Sequence, residues 1–214
     1  MSHGVHAVQH EVEHQIEHEN GGHGGGHDSQ NKKIALMISV LALFLALSET
    51  MGKSAQTAAL NFQIESSDLW NFFQAKNIRR TLTIVATEAA KIDQTTTTDD
   101  ARKAALAKQI DEWTKTAARY RSEPEAGDGK GEGTVELARR AKEKEHERDI
   151  ALNKYHYFEF ASAALQIGIV LCSAAVITGT IMLVWIAGAA GVLGLALMAM
   201  ALFFPHVHLL PGAH

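Results

Sequence analysis

The sequence predicts an all-α integral membrane protein with three transmembrane helices and a long antiparallel, coiled-coil-like helical stalk between the first and second spans. Three observations predict it. Residues Phe160 to Phe204 carry no charged side chain. A shorter apolar run, Ile34 to Leu47, follows a His- and Gly-rich head. Between the two runs, Lys53 to Lys154 is strongly charged, and its apolar residues recur at helical spacing.

A helix from Phe160 to Phe204 would be ~65 Å long at ~1.5 Å per residue, about twice the ~30 Å hydrocarbon core of a bilayer. It must fold back. Thr178-Gly179-Thr180 is its most polar and least helix-favouring point, so the turn belongs there. The first run, with Lys32-Lys33 before it and SETMGKSA after it, lacks the small-x-small end of a secretory signal. Extended through Met51 it reaches ~18 residues, the lower limit for a span.

The averages conceal this segregation. Net charge is −4 over 214 residues, and mean hydropathy is −0.06, values typical of a soluble protein. Blocks so different make such means uninformative. The chain divides into a His/Gly-rich tail (1–31), a first span (32–52), a charged stalk (53–157) with a flexible linker at 123–134, a membrane hairpin (158–204, turn near 178–181) and a short tail (205–214). The lone cysteine, Cys172, lies in an apolar helix, which leaves no disulfide framework.

Two stretches of the stalk keep a 4-3-4-3 apolar spacing: Ile78, Leu82, Val85, Ala89, Ile92, and Leu106, Ile110, Trp113, Ala117, Tyr120. Each puts one stripe on a helix, the pattern that helix pairing requires. Thr98-Asp99 supplies an N-cap for the second helix, and the Gly-rich EPEAGDGKGEG ends it. From Val135 a helix of alternating charge runs without a break into the second span. The lower part of the first stalk helix carries Phe62, Ile64, Leu69, Trp70, Phe72 and Phe73, a surplus of apolar surface that suggests self-association.

Lys53, Lys142, Lys144, Arg148 and Lys154 flank the membrane on the stalk side, and neither the hairpin turn nor the C-terminal tail has any lysine or arginine. The positive-inside rule therefore places the stalk in the cytoplasm, with Lys32-Lys33 opposing. Tyr155, Tyr157, Phe158 and Phe160 at one end of the hairpin, Phe203-Phe204 beside them and Trp185 near the turn fit interfacial belts.

The first span followed by SSDLWNFFQAKNIRR, with Ser67, Asp68, Trp70, Gln74, Lys76 and Ile78 at the positions of an S-D-x-W-x-x-x-Q-x-K-x-I pattern, resembles a bacterial membrane family, domain-of-unknown-function family 4337. The segment KYHYFEFASAALQIGIVLCSAAVITG is similar to that family's second span. The resemblance covers roughly Lys32 to Phe204. Phe72 and Phe73 stand where the family pattern has Tyr, and the His-rich head extends beyond its short start. It implies an envelope protein of uncharacterised activity and supplies no reaction. On a helix Trp70 and Gln74 are one turn apart while Lys76 points elsewhere. Two readings stand: a partner or subunit contact near the membrane, or Trp70 as a packing anchor with Gln74 satisfying a buried polar group.

The head holds the sharpest chemical pattern. His6, His10, His14 and His18 recur every fourth residue, so a helix would line them along one side, where an i, i+4 pair can share a divalent transition metal. A zinc-type ion needs three or four ligands, which His23 and His27 would have to complete. Against this stand a solvated low-complexity tail and a pH-responsive surface. The string His10-Glu11-Val12-Glu13-His14 matches H-E-x-x-H, but this tail has no fold to build a protease cleft. In the third span Gly188, Gly191 and Gly194 form a small-residue surface for packing against the second span or another subunit. No acid or base lies deep in any span, which argues against a proton-coupled transporter.

The expectation is a non-enzymatic, homo-oligomeric scaffold or partner-docking module without a cofactor, whose partners are the lipid bilayer, its own copies and a protein at the stalk, not nucleic acid. A metal-handling protein using the head is the alternative, and an oligomeric channel is third.

Overall fold

The computed structural model describes residues 25–127 and 130–207, and these residues are helical with no strand among them. Four helices follow in order: α1 Gly25–Thr96, α2 Asp100–Arg121, α3 Thr134–Thr178 and α4 Ile181–Phe203. Such lengths are possible because the prolines among the described residues, Pro124 and Pro205, lie outside the helices. The described parts of α1, α3 and α4 are long and apolar enough to cross a membrane.

The helix ends follow local chemistry. Asp99 caps α2, its side chain accepting from Ala101 N–H (2.9 Å) and Arg102 N–H (3.4 Å), with Asp100 in the first turn and Arg119 and Arg121 in the last. Between α3 and α4 the chain turns at Gly179, whose φ of 69° lies in the left-handed region that glycine enters without a Cβ penalty. The turn falls where the polar Thr-Gly-Thr step predicts it. α3 crosses from its charged first half into its apolar second half without a break.

The Gly-rich connection between α2 and α3, expected as a flexible linker, is built of hydrogen-bonded turns in its described part. Gly131 N–H donates to Ala126 O (2.8 Å), and Glu132 N–H to Glu123 O (3.1 Å).

Two compact units divide the chain. The first takes residues up to Leu47 together with Ala161–Ala196. Inside it Ile34, Leu41, Leu165, Cys172 and Ala187 are buried, whereas Leu36, Leu43, Val170, Ile177, Met182, Trp185 and Val192 face outward. Helices that are apolar on every side suit a lipid surroundings. Small residues bring them together: a Cβ on Gly168 would lie 3.2 Å from the Ala187 carbonyl oxygen and 3.3 Å from the Leu41 side chain.

The second unit takes Ser48–Phe160 and the chain from Leu197 onward. Ser48 Oγ donates to Phe158 O (2.9 Å), Arg148 to Gln63 Oε1 (2.8 Å), and Lys144 pairs with Glu65 (3.1 Å). Across these three pairs the α1 residue number rises as that of its α3 partner falls. Gly52 lets α1 approach α3, since a Cβ there would lie 3.2 Å from Phe158 Cβ. Tyr157 is buried, and its hydroxyl donates to Val207 O (2.8 Å).

Candidate functional site

The motif that drew attention in the sequence is split between two faces of α1. Lys76 is buried and Trp70 half-buried on the inward face, next to the buried Ser66 that precedes the motif, while Ser67, Asp68, Gln74 and Ile78 are exposed. Ser66 Oγ donates to Ala141 O (3.3 Å), and Trp70 Nε1 donates to Glu145 Oε1 (2.8 Å). Trp70 also meets Phe73 edge-on, ring centroids 5.3 Å apart. Trp70 is thus bound within its own chain, and Gln74, whose side chain faces solvent, satisfies no buried group.

Lys76 is the motif's charged element. It is 6 % exposed, and its ammonium lies 3.5 Å from Glu132 and 3.6 Å from Glu123. These two carboxylates bracket the α2–α3 connection, so one lysine fastens both of its ends. The ammonium also lies 5.3 Å from the Phe72 ring centroid, within cation–π range.

The same junction centres on Glu136 in the first turn of α3. Its carboxylate accepts from Ser122 Oγ (2.5 Å) and from Glu123 N–H (3.3 Å). Burial alone would push this carboxyl up, but those bonds, its own backbone N–H and the charge of Arg139 hold it below the ordinary glutamate value. Lys144 is displaced upward, by hydrogen bonds to Glu147 and Glu65 that outweigh burial.

The inward face of α1 was not recognisable as such in sequence. Beyond residue 52 its buried positions are Ala59, Ser66, Lys76, Thr87 and Ala90, with Phe73, Arg80 and Thr83 among the half-buried ones between them. Their spacing is helical, but an apolar pattern search passes over Ser, Lys, Arg and Thr. Thr87 is accommodated because its hydroxyl donates to Thr83 O (2.7 Å) within α1. Arg80 Nε is buried with no partner among the described residues.

The stripe expected to be inward points outward. Ile78, Leu82, Val85 and Ile92 are 60 to 67 % exposed, and Ala89 is exposed as well. The α2 stripe behaves as expected of a packed face: Ala117 is buried, and Leu106, Ile110, Trp113 and Tyr120 are half-buried. The α2 helix is fixed to the top of α1 by Gln94 donating to Lys103 O (3.2 Å) and by the Arg102–Asp93 ion pair (2.7 Å). The lower aromatic surplus is covered in part: Phe62, Leu69, Trp70 and Phe73 are half-buried, with the Lys144 ammonium 5.1 Å from the Phe62 ring centroid, while Ile64 and Phe72 are exposed.

Of the glycines in α4, Gly194 and Gly191 are in close packing. A Cβ on Gly194 would lie 2.8 Å from Leu165 and 3.2 Å from Ala161 O, and one on Gly191 2.7 Å from the Leu41 side chain. Gly188 faces open space. His6, His10, His14 and His18 lie outside the described residues. Among the described residues no three His, Cys, Asp or Glu side chains gather as a metal site.

Fold and site together define a class: an all-helical protein with three helices of membrane-spanning length and an unpartnered apolar stripe on its longest helix. The family described as Domain of unknown function (DUF4337) matches residues 30–204, and the chain belongs to it. No curated protein and no solved structure matches the chain.

Proposed function

We propose that this chain is a homo-oligomeric scaffold of the bacterial inner membrane, with an antiparallel helical stalk on the cytoplasmic side that presents a docking face and carries no catalytic centre. The observation that carries the reading is the Ile78–Ile92 stripe. It is more apolar than the face α1 turns inward, and it is open to solvent in the single chain. Exposed apolar rows at 4-3 spacing are a liability in water unless another helix covers them. The falling order of α3 partners along α1 supports the antiparallel stalk, and the basic residues near Met51 and Phe158 support the cytoplasmic side.

The test is disulfide formation in native membranes. In a Cys172→Ser background, Ile78→Cys and Val85→Cys are expected to give crosslinked chains under mild oxidation, and Asp111→Cys on the exposed side of α2 is not. Monomers only, at every stripe position, would remove the reading. A metal-capturing head is the second reading, carried by the His6–His18 repeat. Titrating the purified chain with zinc, copper or nickel checks it, and the absence of micromolar uptake rejects it.

A further inference from the structure

Resting on that self-association, the order of residues within the stripe bears on how many copies meet. Successive steps of four, three, four and three from Ile78 to Ile92 define the heptad positions. Ile78, Val85 and Ile92 occupy d, and Leu82 and Ala89 occupy a, with Ala75 one heptad before Leu82. In parallel coiled coils, two strands are favoured by β-branched residues at a and leucine at d, whereas leucine at a with isoleucine at d shifts the preference to higher numbers. Here every d residue is β-branched and no a residue is.

The strands must also be parallel. Copies inserted in one bilayer with one orientation point their α1 helices the same way, so each stripe meets its own sequence in register. The flanks tolerate this. Glu88 and Asp93, at g and e, would face like charges across the seam, but each is already paired within its own chain, Glu88 with Lys91 (2.7 Å) and Asp93 with Arg102 (2.7 Å). Arg79, at e beside Ile78, falls opposite the uncharged Gln74 at g of the neighbouring copy, and the remaining flanking residues are Thr81, Ala86 and Thr95. The α2 helix is held on other positions of α1 and leaves the stripe uncovered.

We infer that the stripe is the core of a parallel, in-register bundle of more than two copies of this chain. The experiment is native mass spectrometry of the full-length, detergent-purified chain, wild type against two variants. The wild type is expected at a mass above the dimer. The triple variant Ile78→Leu/Val85→Leu/Ile92→Leu, which keeps the apolar face and removes β-branching at d, is expected to shift to dimer. The second variant, Leu82→Asp/Val85→Asp, is expected to be monomeric with unchanged helical circular dichroism.

A wild-type dimer that the aspartate variant dissociates overturns the inferred number while leaving self-association intact. A wild-type monomer, together with no crosslink through Ile78→Cys in membranes, overturns both. An assembly above dimer whose mass the aspartate variant does not change shows that the stripe is not its core, and also overturns the inference.

Discussion

Lys76 illustrates what a single residue does here. A lysine almost fully out of water is tolerated because two glutamates from one loop supply its counter-charge. Both glutamates are about a third exposed, so Lys76→Met is expected to change global stability by less than about 1 kcal/mol. It is expected to raise hydrogen exchange across 122–133, the segment it fastens. Gly133 is more demanding, since a Cβ there would come 2.5 Å from Ser122 Cα and 2.7 Å from Glu123 N, backbone atoms that cannot rotate away. Gly133→Ala is therefore expected to cost about 1–3 kcal/mol, read by thermal melting or by proteolysis at the junction.

Glu136 makes the same junction acid-sensitive. A carboxyl held below its ordinary value stabilises the fold above the unfolded-state range, near pH ~4.3, and that contribution is lost as pH falls through the depressed folded value. Protection of 122–133 is expected to hold from neutrality to about pH 5 and to fall below that. Glu136→Gln, which keeps the size and loses the charge, is expected to remove most of this acid step.

At the scale of the element, α1 carries two faces of different purpose with one period. Its inward positions include Ser66, Trp70, Lys76 and Thr87, which find partners in α3, in the connection or within α1; its outward positions hold the apolar stripe. Periodicity in the sequence identifies a helix and the strongest apolar row on it. It does not say which row the rest of the chain covers. The motif residues divide, Trp70 and Lys76 inward and Gln74 and Ile78 outward, because the half-buried Trp70 sits at the edge of the covered face with Gln74 one turn on and just beyond it, while each step of two turns the chain to the opposite side. In α4, the glycine row is likewise uneven. Gly194→Leu is expected to lower the melting temperature in detergent by forcing Leu165 and the Ala161 carbonyl away, at about 1–3 kcal/mol, while Gly188→Leu is tolerated.

At the scale of the molecule, the chain is expected to remain with membranes through alkaline carbonate washing and to enter solution only with detergent. Its orientation is measurable with an impermeant maleimide. In the Cys172→Ser background, Asp111→Cys is expected to react only after the inner membrane is opened. Labelling of intact spheroplasts would place the stalk outside.

The sequence alone determined the helical class, the three apolar helices, the turn at Gly179, the Asp99 cap and the family. Each of these follows from local facts: uninterrupted apolarity, a glycine free to take positive φ, and an aspartate before a helix. Tertiary structure decided which face of α1 is covered, that Lys76 and Glu136 hold the α2–α3 connection, and that Gly188 is open while Gly194 is packed. Those outcomes depend on partners tens of residues away, and a covered polar group becomes legible only when its partner is in place.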